Sequence, residues 1–499
     1  MKTDIKNNDS YGQIAKSTGI FGGFQLINIV IGLLRTKVLA ILLGPTGVGL
    51  AGIYQSIVDF AKTIAGMGLH FSSVKDIAQA NGSGDKKQIA QTITVLRRLL
   101  WFTGLLGMVL MILFSDPLSN YFFGDSSKSI HICILSISVL TGIISSGQIA
   151  LLQGTRQILK MAKASLYGST GGFVVSLIFY LWLGIDGIIP ALISVSIVSL
   201  FFSWFFSHKE FVIKVQLSAR ETLLKGRTMF VLGIFTMLSG LISALTLFLM
   251  KGFILNTENM IAVGLYQAVW SISFMYLGSI LTSMGADYYP RLCSLNHDNP
   301  AMVKFSNEQT RFVLLVSTPI IIGVLLLTEP ILEILYSSSF LEAADLMRWQ
   351  ILGTFLKIIV WPIGFFLLAK GKGLSFFIVE LVWYSAYYIA TTLGWDYFGL
   401  ESAGIAYLVA YIIYFPLVYL IVKPLSDFRF NKENILFILF FTVLTISSFL
   451  SSMYLYGWML ILAGIILFLI SVLTSIWGLN RILPLNLWVK KINKYLRKK

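Results

Sequence analysis

The stretch TGIFGGFQLINIVIGLLRTKVLAILLGPTGVGLAGIYQSIVDFAKTIAGMGLH, residues 18–70, contains two long apolar runs separated by Gly44-Pro45-Thr46-Gly47. Each run reaches the roughly 20 residues that a helix needs to cross about 30 Å of hydrocarbon. Glycine and proline at the break are typical of a turn between two helices. These residues therefore predict a hairpin of two membrane-spanning helices, at 18–43 and 48–70.

Apolar runs of this length recur along the whole chain. The 499 residues are 56% hydrophobic and only 12% charged, whereas soluble domains are roughly a quarter charged. The pattern predicts an all-α polytopic membrane protein with about 14 transmembrane helices. The spans after the hairpin are at 96–114, 130–152, 164–183, 187–206, 228–251, 260–284, 312–328, 346–369, 374–394, 403–422, 434–453 and 458–478.

The basic residues are distributed asymmetrically around these spans. Of the 38 lysines and arginines, 31 lie in the two terminal segments or in every second gap between spans. Cytoplasmic loops retain Lys and Arg, so this alternation predicts that both termini are cytoplasmic. The net charge of +15 then reflects membrane orientation, and no nucleic-acid partner is expected.

A short repeat divides the chain into two halves. Val48-Gly49-Leu50, followed by Tyr54-Gln55, matches Val263-Gly264-Leu265-Tyr266-Gln267. Six spans per half, both starting on the inner side, predict a parallel pseudo-repeat. The expected organisation is an N-terminal lobe at 1–210, a cytoplasmic linker at 211–227 and a C-terminal lobe at 228–425. Two extra helices at 426–480 and a basic cytoplasmic tail at 481–499 follow.

Polar residues on one face of the first span are candidates for a substrate site. Gln25, Asn28, Gly32 and Arg35 share a helical face, and Lys37 lies further out. A charge held in hydrocarbon is costly, so intramembrane charges usually face protein or water. The alternative for Arg35 and Lys37 is that they reach the outer headgroups.

The second span carries a second polar face formed by Gln55, Asp59 and Lys62. Asp59 and Lys62 lie near the predicted midplane of the bilayer. Either they form a self-neutralising ion pair that fixes a helix contact, or they line a hydrated cavity. In the second case Asp59 is a candidate for ion or proton coupling and Lys62 for anion binding.

The later spans contain a corresponding set of residues. Lys251 lies at the outer end of the seventh span, Lys357 near the centre of the tenth and Glu380 in the eleventh. We expect the two lysines to bind substrate and Glu380 to take part in coupling. Pro362 and Gly364 are the best hinge candidates, because proline interrupts helical hydrogen bonding.

Motifs for covalent chemistry are absent from the sequence. It has no glycine-rich phosphate loop, no histidine cluster among its four histidines and no metal-ligand spacing of its two cysteines. No catalytic residue, cofactor or metal is therefore expected. Transport would be downhill or coupled to an ion gradient.

Two segments resemble a known family. Gly32–Ala40, Leu43–Leu50 and Tyr54-Gln55-Ser56 look like the start of the O-antigen translocases. These are Wzx-type flippases of the multidrug, oligosaccharidyl-lipid and polysaccharide (MOP) exporter superfamily. Tyr288–Leu292 and Asn307–Phe312 resemble an inner loop of the same family, and the resemblance covers about residues 15–425.

The resemblance implies two six-helix lobes in a V around a central cationic cavity. It implies that undecaprenyl-diphosphate-linked oligosaccharide is flipped from the cytoplasmic to the periplasmic leaflet of the bacterial inner membrane. By position, Arg35, Lys62 and Lys357 could serve as the cavity cations of such a protein. We expect H⁺ or Na⁺ as the coupling ion, and a polysaccharide polymerase and a chain-length regulator as partner proteins.

Two other kinds of protein remain open at this point. One is a lipid II flippase or a cation-coupled drug exporter of the same superfamily, although a drug exporter would favour acidic residues in the cavity. The other is a membrane polysaccharide polymerase or ligase. Such enzymes typically have a large outer loop, and no outer gap here exceeds roughly twenty residues.

Overall fold

The computed structural model describes residues 2–83, 85–208, 215 and 217–482. Within these ranges the side chains of residues 2–23, 25–26, 82–83 and several positions between 228 and 290 are not described. The described chain is helical throughout its regular structure. Its α-helices are α1 (Lys2–Gly66), α2 (Leu69–Ser83), α3 (Lys86–Leu113), α4 (Ser115–Phe123), α5 (Ser129–Leu135), α6 (Ile137–Gly154), α7 (Ile158–Leu183), α8 (Ile188–His208), α9 (Ala219–Thr257), α10 (Met260–Trp270), α11 (Gly278–Ser294), α12 (Asn299–Leu326), α13 (Thr328–Leu335), α14 (Ala344–Ala369), α15 (Gly373–Phe398), α16 (Ser402–Ser426), α17 (Lys432–Tyr454) and α18 (Gly457–Ile482).

The break in the opening stretch falls at Gly44. Its backbone is non-helical, with φ 62° and ψ −168°, so α1 is two helices joined at this residue. Glycine adopts a positive φ without the penalty that a Cβ atom imposes. Pro45 then begins the second half of α1, where its missing N–H is not needed.

The helices confirm a polytopic membrane protein. In the described part of the chain, ten helical stretches are long and apolar enough to cross a membrane. Three of them contain 40, 51 and 54 residues, enough for two crossings each at 1.5 Å per residue. Each of these three overlaps two of the predicted spans, and Met260–Phe274 is a shorter apolar helix at the eighth predicted span.

The chain packs into two compact units. The first contains the described chain up to Gln267 together with Leu335–Ser337, and the second contains the rest. This division lies after α9 and not at the predicted linker, 211–227. One reason is that Arg98 of α3 holds the start of α9, by donating hydrogen bonds to the Leu217 carbonyl at 2.6 Å and to Thr222 Oγ1 at 2.8 Å. The predicted lobe boundaries stay predictions. Residues 209–214, 216 and 483–499, which include parts of the predicted linker and tail, lie outside the described residues.

Within the first unit, the two copies of the sequence repeat pack against each other. A Cβ atom on Gly264 would collide with the carbonyl oxygen of Pro45, and one on Gly49 would stand 2.9 Å from the Gly264 nitrogen. Only glycine permits two backbones to approach so closely. The repeat thus marks a contact between α1 and α10.

Candidate functional site

In the first unit, a lysine from α9 joins the polar face of the second predicted span. Lys251 is 5% exposed, and its Nζ atom donates hydrogen bonds to the Gly52 carbonyl and to Ser56 Oγ, both at 2.8 Å. Buried ammonium groups require such acceptors because desolvating a charge is costly. Lys251 therefore connects α9 to α1.

Asp59 lies at the centre of this cluster. Gln55 Nε2 donates a 2.8 Å hydrogen bond to Asp59 Oδ1, and the carboxylate interacts electrostatically with both Lys62 and Lys251. The end of the Lys62 side chain lies against Gly142 of α6, where a Cβ atom would stand 2.8 Å from Nζ. Two lysines around one aspartate leave the cluster with a formal charge of +1, so it is more than a neutral ion pair.

The polar face of the first span packs against α7. Asn28 Nδ2 donates to Ser165 Oγ at 3.1 Å, and Ser169 Oγ donates to Asn28 Oδ1 at 2.5 Å. Seven residues later, Arg35 interacts with the phenol of Tyr180. The contacts advance along both helices together, so the first half of α1 and α7 run in the same direction. A chain that crosses the membrane back and forth must have its first and fifth spans running in the same direction, as these two helices do.

The remaining candidates of the first span are less informative. The side chain of Gln25 lies outside the described residues. Lys37 is half-buried and takes part in polar interactions of its own. Their predicted roles in substrate binding stay predictions.

The hydrogen bonds of Asn28 permit a test of its role. We expect Asn28→Ala and the double variant Ser165→Ala/Ser169→Ala to lower stability equally, by about 1 kcal/mol, because each removes both hydrogen bonds between the two transmembrane helices. Thermal unfolding in detergent would measure this loss. If Asn28 also binds substrate, only Asn28→Ala will lower transport further than this shared loss explains. Equal transport by the two variants would restrict Asn28 to helix packing.

In the second unit, Lys357 and Glu380 line one cavity of about 290 Å³ between α14, α15 and α16. Most of its wall is aromatic. The aromatic residues are Phe274, Trp361, Phe365, Phe376, Trp383, Tyr384, Tyr407, Tyr411 and Tyr414.

The two charged groups of this cavity have different partners. Lys357 Nζ lies 5.1 Å from the centroid of the Phe274 ring, a cation–π contact. Glu380 Oε1 accepts a 2.9 Å hydrogen bond from the hydroxyl of Tyr414, and Glu380 also interacts electrostatically with Lys357. The ammonium of Lys357 is thus held by an aromatic ring and a nearby carboxylate. Neither contact uses all of its N–H donors, so the ammonium can still donate hydrogen bonds to a ligand.

The aromatic wall contains a further donor. Trp383 is 6% exposed, and its indole N–H has no hydrogen-bond partner within the described structure. Its ring lies 5.4 Å from that of Tyr387, at 23°, and 5.1 Å from that of Tyr411. Packing therefore holds the ring, while its N–H lacks a partner at the cavity wall. Tyr387 itself is fully buried, which agrees with packing and not with sugar stacking.

The hinge candidates lie beside the same cavity. Pro362 is inside the continuous helix α14, and its carbonyl accepts a 2.9 Å hydrogen bond from the hydroxyl of Tyr288. A Cβ atom on Gly364 would stand 3.7 Å from the Tyr414 hydroxyl. Motion at these residues would therefore reach the tyrosine that binds Glu380, and the hinge stays a prediction.

The structure brings together residues that sequence reasoning left apart. Gln55, Asp59 and Lys62 form one cluster with Lys251, which the sequence assigned to the second lobe. The sequence reasoning missed Tyr414. A signal for the tyrosine existed, because Tyr407, Tyr411 and Tyr414 share one helical face of α16.

Residues 38–345 match the family described as polysaccharide biosynthesis protein. The match covers more than half of the 499 residues. The chain belongs to this family. Among curated proteins it is similar to the lipid III flippases of Escherichia coli strain K12 and Shigella flexneri. It is 25% identical to each over 417 residues, which cover 81% of this chain and 97% of the relative.

Solved structures of the MOP superfamily share the fold of this family member. The lipid II flippase MurJ, in an inward closed conformation, matches with a TM-score of 0.69 and 16% identity, over 93% of this chain and 99% of that chain. An inward-facing multidrug resistance transporter of the MATE family matches with 0.66 and 15%, over 82% and 99%. The predicted superfamily resemblance and all-α fold are confirmed, as is the prediction of a transporter and not an enzyme.

Proposed function

We propose that this protein flips an undecaprenyl-diphosphate-linked oligosaccharide, an O-antigen or related surface-polysaccharide unit, from the cytoplasmic to the periplasmic leaflet of the inner membrane. Membership of a polysaccharide biosynthesis family supports the glycan, and the lipid III flippases support movement of a lipid-linked substrate. The distribution of basic residues supports cytoplasmic termini. A polysaccharide polymerase and a chain-length regulator would act with it.

The cavity of Lys357 carries this proposal. It combines a lysine ammonium, an indole N–H without a partner and a wall of aromatic rings. A diphosphate needs cationic donors, and sugars present hydroxyls together with C–H faces that pack on aromatic rings. The cluster of Lys62 and Lys251 around Asp59 supports a second anion-binding surface in the first unit.

A reconstituted assay would test the proposal. Purified protein in proteoliposomes should move a fluorescent undecaprenyl-diphosphate oligosaccharide to the opposite leaflet, as measured by loss of quenching from outside. Liposomes without protein give the background rate. A flip rate equal to that background, with folded protein present, would contradict the proposed function.

Ion coupling would make this transport depend on the pH or sodium gradient. Asp59 interacts electrostatically with Lys62, and Glu380 with Lys357. We expect Asp59→Asn or Glu380→Gln to reduce the stimulation of flipping by a pH gradient at least about fivefold, since an amide cannot exchange a proton. Asp396→Asn, an exposed acid outside both sites, is the matched control. Equal flux with the gradient collapsed would exclude H⁺, and the same experiment with Na⁺ would then decide the coupling ion.

A lipid II flippase is the second candidate, because the structural match to MurJ covers 93% of this chain. Competition separates the two substrates. We expect unlabelled lipid-linked oligosaccharide to inhibit flipping at lower concentration than lipid II does. The reverse order would favour lipid II, and inhibition by cationic drugs alone would favour a drug exporter.

A further inference from the structure

The second unit contains a groove along α12, α17 and α18 that is apolar at one end and polar at the other. The apolar part has a volume of about 520 Å³ and is lined by Leu436, Phe440, Leu473 and Trp477, among others. The polar part has a volume of about 600 Å³, between the start of α12 and the segment before α17. Arg311 lines both parts, which lie on either side of its side chain.

Arginines line both parts of the groove, and Arg311 lies between the two. Arg311 Nη1 pairs with Glu433 at 2.5 Å, and its Nε donates to Asn434 Oδ1 at 3.1 Å, which holds the guanidinium in place. The guanidinium carbon of Arg481 stands 3.9 Å from the centroid of the Trp477 ring. Within the described chain, Arg481 and Arg429 form no ion pair. Four cations and three acids line the whole groove, which gives a formal charge of +1.

The apolar wall of the groove is open to the surroundings. Leu436 is 66% exposed, Leu473 65% and Trp477 52%. These side chains belong to helices long and apolar enough to cross a membrane, where lipid chains would cover them. Tryptophan and arginine at the end of such a helix are typical of the headgroup level.

We propose that this groove binds an anionic phospholipid. Its phosphate would contact Arg481 and Arg311, and one acyl chain would lie along Leu436, Phe440 and Leu473. Basic pockets between transmembrane helices on one side of a membrane are the known geometry for anionic headgroups. The groove shares no lining residue with the Lys357 cavity. The proposal therefore does not depend on the proposed function, and it gives a role to the two helices beyond the predicted twelve.

Native mass spectrometry of the full-length protein, stripped of lipid in detergent, would test the site. We expect phosphatidylglycerol to bind at least about tenfold more tightly than phosphatidylethanolamine, and Arg481→Gln to weaken it about fivefold. Leu473→Trp, which fills the apolar part and keeps every charge, should also weaken it. Lys372→Gln, an exposed cation outside the groove, is the matched control.

Thermal unfolding in detergent identifies variants that fail to fold. If Arg481→Gln does not fold, Leu473→Trp still tests the proposal. Equal affinity for the two phospholipids would overturn the proposal. So would unchanged phosphatidylglycerol binding by both folded variants. Displacement of phosphatidylglycerol by an equal concentration of undecaprenyl diphosphate would also overturn it, because the groove would then be a substrate site.

Discussion

Lys357→Gln is expected to lower flipping of the lipid-linked oligosaccharide about a hundredfold while leaving the protein in the membrane at normal levels. Within the described chain, the ammonium of Lys357 is the only cation that lines its cavity between α14, α15 and α16. Removing one partner of a desolvated charge pair costs about 2–5 kcal/mol, and each 1.4 kcal/mol is a factor of ten. The flip rate in proteoliposomes and the surface glycan of a strain that depends on this protein would measure the effect.

Two further variants sharpen this test. Lys357→Arg keeps the charge and should retain part of the activity, whereas Lys372→Gln removes an exposed lysine of the next helix and should retain all of it. Normal surface glycan from Lys357→Gln would contradict the assigned role of the cavity. Equal losses in Lys357→Gln and Lys357→Arg, with folded protein, would indicate that shape and not charge matters at this position.

Gly264→Ala is expected to destabilise the folded protein by about 2 kcal/mol, although alanine favours helices over glycine. Its methyl group would collide with the backbone of Pro45, and backbone cannot move aside as a flexible side chain can. The melting temperature in detergent should fall accordingly. The yield of monodisperse protein on size exclusion should fall with it.

Gly32→Ala is the matched control for this prediction. No atom lies within 4 Å of a Cβ placed on Gly32, so the gain in helix propensity should leave its melting temperature unchanged or raised. Of the two substitutions, only Gly264→Ala should therefore lower the melting temperature. A Gly264→Ala protein as stable as the wild type would show that α1 and α10 do not meet at this contact.

Much of the architecture could be predicted from the opening stretch and its repeats. The length of the apolar runs follows from the thickness of a bilayer, and each predicted span overlaps helical structure, although several cross from one helix into the next. The turn at Gly44-Pro45 was readable because glycine and proline restrict a backbone locally. The polar face of Gln55, Asp59 and Lys62 was readable for a similar reason, since it depends only on the pitch of one helix.

The partners of these side chains could not be predicted in the same way. Lys251 lies 199 residues from Gly52, whose carbonyl it binds, and nothing in either local pattern indicates that contact. The sequence predicted Asn28 and Arg35 as cavity residues but not their contacts with α7, and their role in substrate binding stays a prediction. Glu380 was recognised as an intramembrane acid, whereas its partner Tyr414 lies on the next helix.

The sequence by itself determined that this protein is helical and membrane-spanning, because the bilayer imposes length and polarity on each segment independently of all others. It also identified the intramembrane charges, since their cost in hydrocarbon makes them stand out among apolar neighbours. Only the tertiary structure decided which of these charges share a site. That choice depends on how helices distant in the chain pack, as glycines such as Gly49 and Gly264 show, and no local periodicity records it.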